Sequence, residues 1–168
     1  MHGATQAQHR WPLRPGATLL LITAGLAQAI SLAWPFDGDF QGASQGWLQI
    51  LSMAALAWSL DRAQSNKQAF ATGWIFSFVW LSGSIWWLFI SMHQYGGLPA
   101  PVAALAVALL AAGLALFYSL ACLVFHVLCQ TGVGVLLRAC AFAAVWMAAE
   151  MLRGTLWTGF PWGAAGYA

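Results

Sequence analysis

Residues Val102 to Leu128 read VAALAVALLAAGLALFYSLACLVFHVL, with no Asp, Glu, Lys or Arg among them. A helix needs about 17–25 apolar residues to cross a hydrocarbon core, and this Ala- and Leu-rich run meets that length. Only Gly113 interrupts it, and His126 lies near its end. The rest of the chain shares its character, with 61% hydrophobic and 6% charged residues and a mean hydropathy of +0.73. A soluble domain carries about 25% charged residues, so this composition cannot cover a water-facing surface. The chain reads as an all-α integral membrane protein.

Working outward, further apolar runs cover approximately Ala17–Trp34, Gly46–Leu60, Ala69–Met92 and Val135–Leu152. With Val102–Leu128 they predict a bundle of about five transmembrane helices. Residues 1–16 are polar and Pro-containing and read as an N-terminal tail; 17–168 form the membrane region, ending in an interfacial segment, 153–168. Arg10 and Arg14 ahead of the first run resemble a signal peptide, but no clean small-x-small cleavage site leads to a soluble domain, so the run reads as an uncleaved first span. Trp34-Pro35-Phe36-Asp37-Gly38-Asp39 breaks it, since Pro lacks a donor and Asp and Gly favour turns. The second run is short, and Trp47 and Trp58 are expected to anchor it at the two interfaces.

Positive charge sets the orientation. Under this topology Arg10, Arg14, Arg62, Lys67 and Arg138 fall on one side and only Arg153 on the other, out of 6 basic residues. Basic short loops stay cytoplasmic, which puts the N-terminus inside and the His93–Pro101 and Thr155–Gly163 segments outside. A net charge of +2 with no basic block argues against nucleic-acid binding. Cys122, Cys129 and Cys140 form no Cys-x-x-Cys pair and lie in or beside apolar runs, where cysteine behaves as a small hydrophobe. No metal site is expected.

The candidate site residues gather in two stretches. Glu150 and Arg153 are three apart, so a helix puts them on one face where they can pair. The plainer alternative is a structural ion pair with Arg153 snorkelling to the headgroups; a guanidinium there also suits a lipid phosphate. Phe160, Pro161 and Trp162 follow in a Trp-, Gly- and Pro-rich segment. In the other stretch Trp86 and Trp87 either line a lipid pocket or belong to an aromatic belt, and His93 is either a base or headgroup ligand or an ordinary boundary side chain. Gly96, Gly97 and Pro99 supply a tight turn. No Ser-His-Asp or Cys-His set, Walker motif or paired metal-ligand helix can be assembled.

Two segments carry a family resemblance. Ser82 to Pro99, SGSIWWLFISMHQYGGLP, looks like the third-span and loop motif of bacterial apolipoprotein N-acyltransferases. Glu150-Met151-Leu152-Arg153-Gly154, with Thr158-Gly159-Phe160-Pro161-Trp162 and Gly166-Tyr167, is similar to that family's E-x-x-R-G…TGFPW…GY segment. The resemblance implies a multi-pass inner-membrane enzyme in which eight spans surround a periplasmic nitrilase-like domain with a Glu-Lys-Cys triad. That Cys takes an acyl chain from a membrane phospholipid as a thioester, then passes it to the α-amino group of a diacylglyceryl-cysteine on an apolipoprotein. This is the last step of lipoprotein maturation, and it needs no cofactor.

The nitrilase-like domain is absent from this sequence, and none of its three cysteines matches the family nucleophile. No catalytic residue is therefore carried over. The expectation is an N-terminal fragment that supplies part of the membrane bundle and is inactive alone. Its candidate lipid-substrate or cavity-lining residues are Trp86, Trp87, His93, Gly96, Gly97, Pro99, Glu150, Arg153, Phe160, Pro161 and Trp162. The alternative is a non-catalytic lipid-binding or scaffold protein derived from the same family. A small transporter ranks last, because the first four runs offer almost no mid-membrane polar residues. Oligomeric state is not readable.

Overall fold

The computed structural model describes residues 13–35, 37, 39, 41–129, 133–156, 159, 160, 162 and 164. Among these, all regular structure is helical: α1 (Pro15–Leu32), α2 (Gly46–Asp61), α3 (Asn66–Ser84), α4 (Trp87–Ile90), a π-helical turn (Ser91–Tyr95), α5 (Ala100–Leu128) and α6 (Val135–Thr155). The all-α membrane bundle read from composition is what the chain forms.

Among the described residues three helices, α1, α5 and α6, are long and apolar enough to cross a membrane, and the count rises to four if α3 and the bent piece after it are taken as one span. The expected single span Ala69–Met92 is broken. α3 ends at Ser84, and the axis turns by 49° before Trp87–Tyr95. Sharp bends occur at Gly/Ser pairs and at π-turns; here Ser82-Gly83-Ser84 precedes the break and the π-helical turn follows it. The second run folds as expected but is short: 16 residues rise about 24 Å, against a core of about 30 Å.

Local signals place the helix ends. Pro15 opens α1 at the position where its missing N–H costs nothing. Ser65 caps α3 by accepting from the Gln68 N–H at 3.3 Å, while Gln68 Oε1 accepts from the Gln64 N–H at 2.8 Å, a near-reciprocal cap. The loop after α1 closes on itself, with the Trp34 N–H donating to Ala43 O and the Gly42 N–H to Trp34 O.

The helices pack in the order α2, α1, α3, α5, α6. Close approach depends on small residues, as in other membrane bundles. A Cβ on Gly83 would lie 2.7 Å from Ala29 Cβ, and one on Gly73 would lie 2.8 Å from Cys122 Sγ. Ser52 Oγ ties α2 to α1 by donating to Ala24 O at 2.7 Å. Along α5, Ala103, Val107 and Ala111 pack inward while Ala104 and Gly113 stay open. At one end of the bundle Arg138, in the first turn of α6, pairs with Asp61 at the end of α2. Arg62 lies 3.7 Å over the Trp58 ring beside it. Arg62 of the α2–α3 connection and Arg138 of α6 thus share one end, as the charge pattern requires.

Candidate functional site

The site is built at the far end of α6. Arg153 is only 2% exposed, so it does not snorkel. It turns back instead, and its Nη1 donates to Phe160 O and to Trp162 O, both at 2.8 Å. The chain reaches that position through a reversal at Gly159, where φ is +75°. Only glycine adopts that conformation without cost, and a Cβ there would sit 2.1 Å from Gly154 O. The Gly159 N–H donates to Leu156 O and the Phe160 N–H to Arg153 O, which fastens the reversal to the helix end.

A buried guanidinium needs partners, because desolvation costs several kcal/mol per ion. Beyond the two carbonyls, the Arg153 Cζ lies 5.7 Å from the centroid of the Tyr118 ring on α5, within the reach of a cation–π contact. Tyr118 also donates from its hydroxyl to Glu150 Oε1 at 3.3 Å. Glu150 and Arg153 therefore share a face of α6, as their spacing predicts, and both meet Tyr118. Nothing in the sequence pointed to Tyr118, since it sits in the middle of the most apolar run.

Beneath Tyr118 lies an aromatic stack that the sequence reading also missed. Its ring centroid is 4.7 Å from Trp146 on α6 and 5.1 Å from Trp80 on α3, and the two indoles are 5.8 Å apart. Phe76 meets both Trp80 and Trp146 at 6.3 Å. These rings join α3, α5 and α6 and pack against Tyr118 beside Arg153. Trp80, Phe76 and Tyr118 are fully buried, whereas a belt of interfacial aromatics would face the lipid.

The other stretch comes over the top. Trp87, in the short helix after the bend, packs edge-on against Trp162 with centroids 5.8 Å apart. The two sequence segments singled out separately thus meet in space. Trp86 is 59% exposed and points away from the core. His93 is exposed, stacks on Phe89 at 5.5 Å and places Nδ1 2.8 Å from Leu98 O. A carbonyl accepts only, so Nδ1 is the donor in this contact. Gly97 makes the turn with φ of +67°, and Pro99 caps α5. Gly96 donates its N–H to Ser91 O to end the π-helical turn. Pro161 lies outside the described residues.

No cysteine joins this site. Cys122 is buried against Gly73, Cys129 is half-buried at the end of α5, and Cys140 is exposed on α6. Among the described residues no three His, Cys, Asp or Glu side chains come together.

An apolar helical bundle with a buried arginine clamp and an interfacial aromatic–Gly–Pro loop defines an integral membrane protein. Comparison with known proteins makes this specific. Residues 27–168 match the apolipoprotein N-acyltransferase N-terminal domain, and the chain belongs to that family. It is 51% identical over 154 residues to the apolipoprotein N-acyltransferase of Verminephrobacter eiseniae, covering 88% of this chain and 27% of that protein. With the Ralstonia nicotianae enzyme it shares 45% over 126 residues, 73% of this chain and 24% of the relative. With the Pseudomonas syringae enzyme it shares 36% over 160 residues, 94% and 30%. The chain therefore spans 24% to 30% of the length of these relatives.

Proposed function

We propose that this chain is the N-terminal membrane part of an apolipoprotein N-acyltransferase of the bacterial inner membrane. In the complete enzyme an acyl chain passes from a membrane phospholipid to the N-terminal diacylglyceryl-cysteine of an apolipoprotein. The part described here contributes to holding the lipid substrates and leaves the covalent chemistry to residues beyond it. The basic end of the bundle faces the cytoplasm, and the Arg153 end faces outward, where the acceptor arrives.

One observation carries this reading. The buried Arg153 clamps the Phe160–Trp162 backbone so that Trp162 meets Trp87. A fixed aromatic wall at the outer membrane boundary suits an acyl chain, and clamping it by a charge inside the bundle is costly unless the position of that wall matters. Tyr118 meets both Glu150, through its hydroxyl, and Arg153, through its ring. On this reading Trp87, Phe160 and Trp162 touch lipid, whereas Arg153, Glu150 and Tyr118 position them.

A chimera tests the assignment. The matching segment of the Verminephrobacter eiseniae relative is replaced by this chain, and N-acylation of a lipoprotein is followed by mass spectrometry. We expect the chimera to acylate and the 168-residue chain alone to form no thioester and transfer no acyl group. A chimera that inserts and folds but does not acylate favours the non-catalytic scaffold. Acyl transfer by the chain alone, surviving Cys-to-Ala changes at Cys122, Cys129 and Cys140, refutes the division of labour.

A further inference from the structure

At the opposite end of α6 the structure holds a second polar feature. Arg138 and Arg153 are 15 residues apart on one helix, which separates them by about 22 Å. Around Arg138, Asp61 at the end of α2, Ala63 just after it, Phe125 and His126 in the last turn of α5 and Cys129 just after that helix line an open cleft of about 200 Å³. That is below the roughly 300–1,000 Å³ that whole drug-sized ligands occupy, so the cleft admits a small polar group and not an acyl chain.

Its chemistry is two-signed. Asp61 Oδ1 accepts from Arg138 Nη2, yet the side chains remain 51% and 35% exposed. One carboxylate oxygen and the remaining guanidinium N–H groups are left for a ligand, and the His126 ring adds a further donor. The Asp61 carboxylate and the Arg138 guanidinium cancel in formal charge. A lone anion would meet Asp61 and a lone ammonium would meet Arg138, whereas a ligand carrying both charges satisfies both. Such a ligand would also have apolar chains: Leu128, Val135 and Leu136, next to the cleft in sequence, are 60%, 86% and 80% exposed. Trp58 with Arg62 over its ring marks the same level as the membrane–water boundary.

We propose that this cleft binds the headgroup of a zwitterionic phospholipid with a primary ammonium, Asp61 taking the ammonium and Arg138 and His126 the phosphate. Its chains would run along the exposed faces of α5 and α6. The site is separate from any acyl-donor site at the Arg153 end and would stabilise the α2–α5–α6 junction.

The test is native mass spectrometry of the detergent-purified protein with equal amounts of phosphatidylethanolamine, phosphatidylcholine and phosphatidylglycerol. We expect phosphatidylethanolamine to be retained over the other two by roughly fivefold. Asp61→Asn should erase that preference. Because this change also removes the ion pair, His126→Leu is measured beside it; it leaves Asp61–Arg138 intact and should still weaken phosphatidylethanolamine retention about threefold. Equal retention of the three lipids, or a preference unchanged in both variants, overturns the proposal. Displacement of the lipid by millimolar inorganic phosphate overturns it too and reassigns the cleft to a free anion.

Discussion

Arg153 is a charge buried at the end of a membrane helix, and its two carbonyl partners show why it is tolerated. Gly159 makes those partners reachable. Replacing it by Ala forces a side chain into φ of +75° and onto Gly154 O. Such strain costs on the order of 1–3 kcal/mol, and we expect faster proteolysis after Thr155 in the G159A protein than in the parent. Gln28 is the opposite case. It is fully buried on α1, and neither Oε1 nor Nε2 has a partner among the described residues. A buried unsatisfied group costs about 1–3 kcal/mol, so Gln28→Met should raise the thermal midpoint in detergent; a lower midpoint would mean that the amide has a partner such as a buried water. At this scale the sequence was half legible. A lone Arg against the charge pattern, three residues after Glu150, stood out as a candidate. Its direction did not, because snorkelling and burial leave the same spacing, and what decides between them is the backbone of residues seven and nine positions later.

The elements themselves were easier to read than their bends. Long apolar runs bounded by Pro, Gly and Asp located all the main helices, since the membrane leaves the backbone no alternative to internal hydrogen bonding. The 49° break after Ser84 was not read. The run through it stays apolar and has no Pro, so hydropathy carries no signal there; only Ser82-Gly83-Ser84 hinted at it. Tyr118 and the Trp80–Trp146 stack were invisible for a related reason: in a chain this apolar, inward and lipid-facing aromatics look alike. Helix contact gives a sharp prediction at this scale. A Cβ on Gly83 meets Ala29 Cβ at 2.7 Å, so Gly83→Ala should destabilise the α1–α3 contact by about 1–3 kcal/mol. Ala29→Gly in the same protein should recover most of that loss. A double mutant no better than Gly83→Ala would show that the contact is elsewhere.

For the whole molecule, the charge pattern and the structure agree on which loops share an end, through the Asp61–Arg138 pair. Which end faces the cytoplasm is the proposal from basic-residue bias. It predicts that, in a background with Cys122, Cys129 and Cys140 changed to Ala, a membrane-impermeant thiol reagent labels Tyr95→Cys in intact spheroplasts. Gln64→Cys should react only after permeabilisation, and the reverse pattern would invert the bundle. The family was legible at this scale because its motifs fall at the two places where helices give way to interfacial loops, and side-chain identity there is not interchangeable as it is along a lipid-facing helix. The claim on which the rest depends is that Arg153 positions the outer aromatic wall for lipid. The direct measurement is the N-acylation rate of the chimera carrying Arg153→Gln, with membrane insertion checked in parallel. We predict a loss of about 100-fold, equivalent to about 2.7 kcal/mol, in a protein that still inserts. A chimera that acylates at the parent rate without the guanidinium would contradict the account.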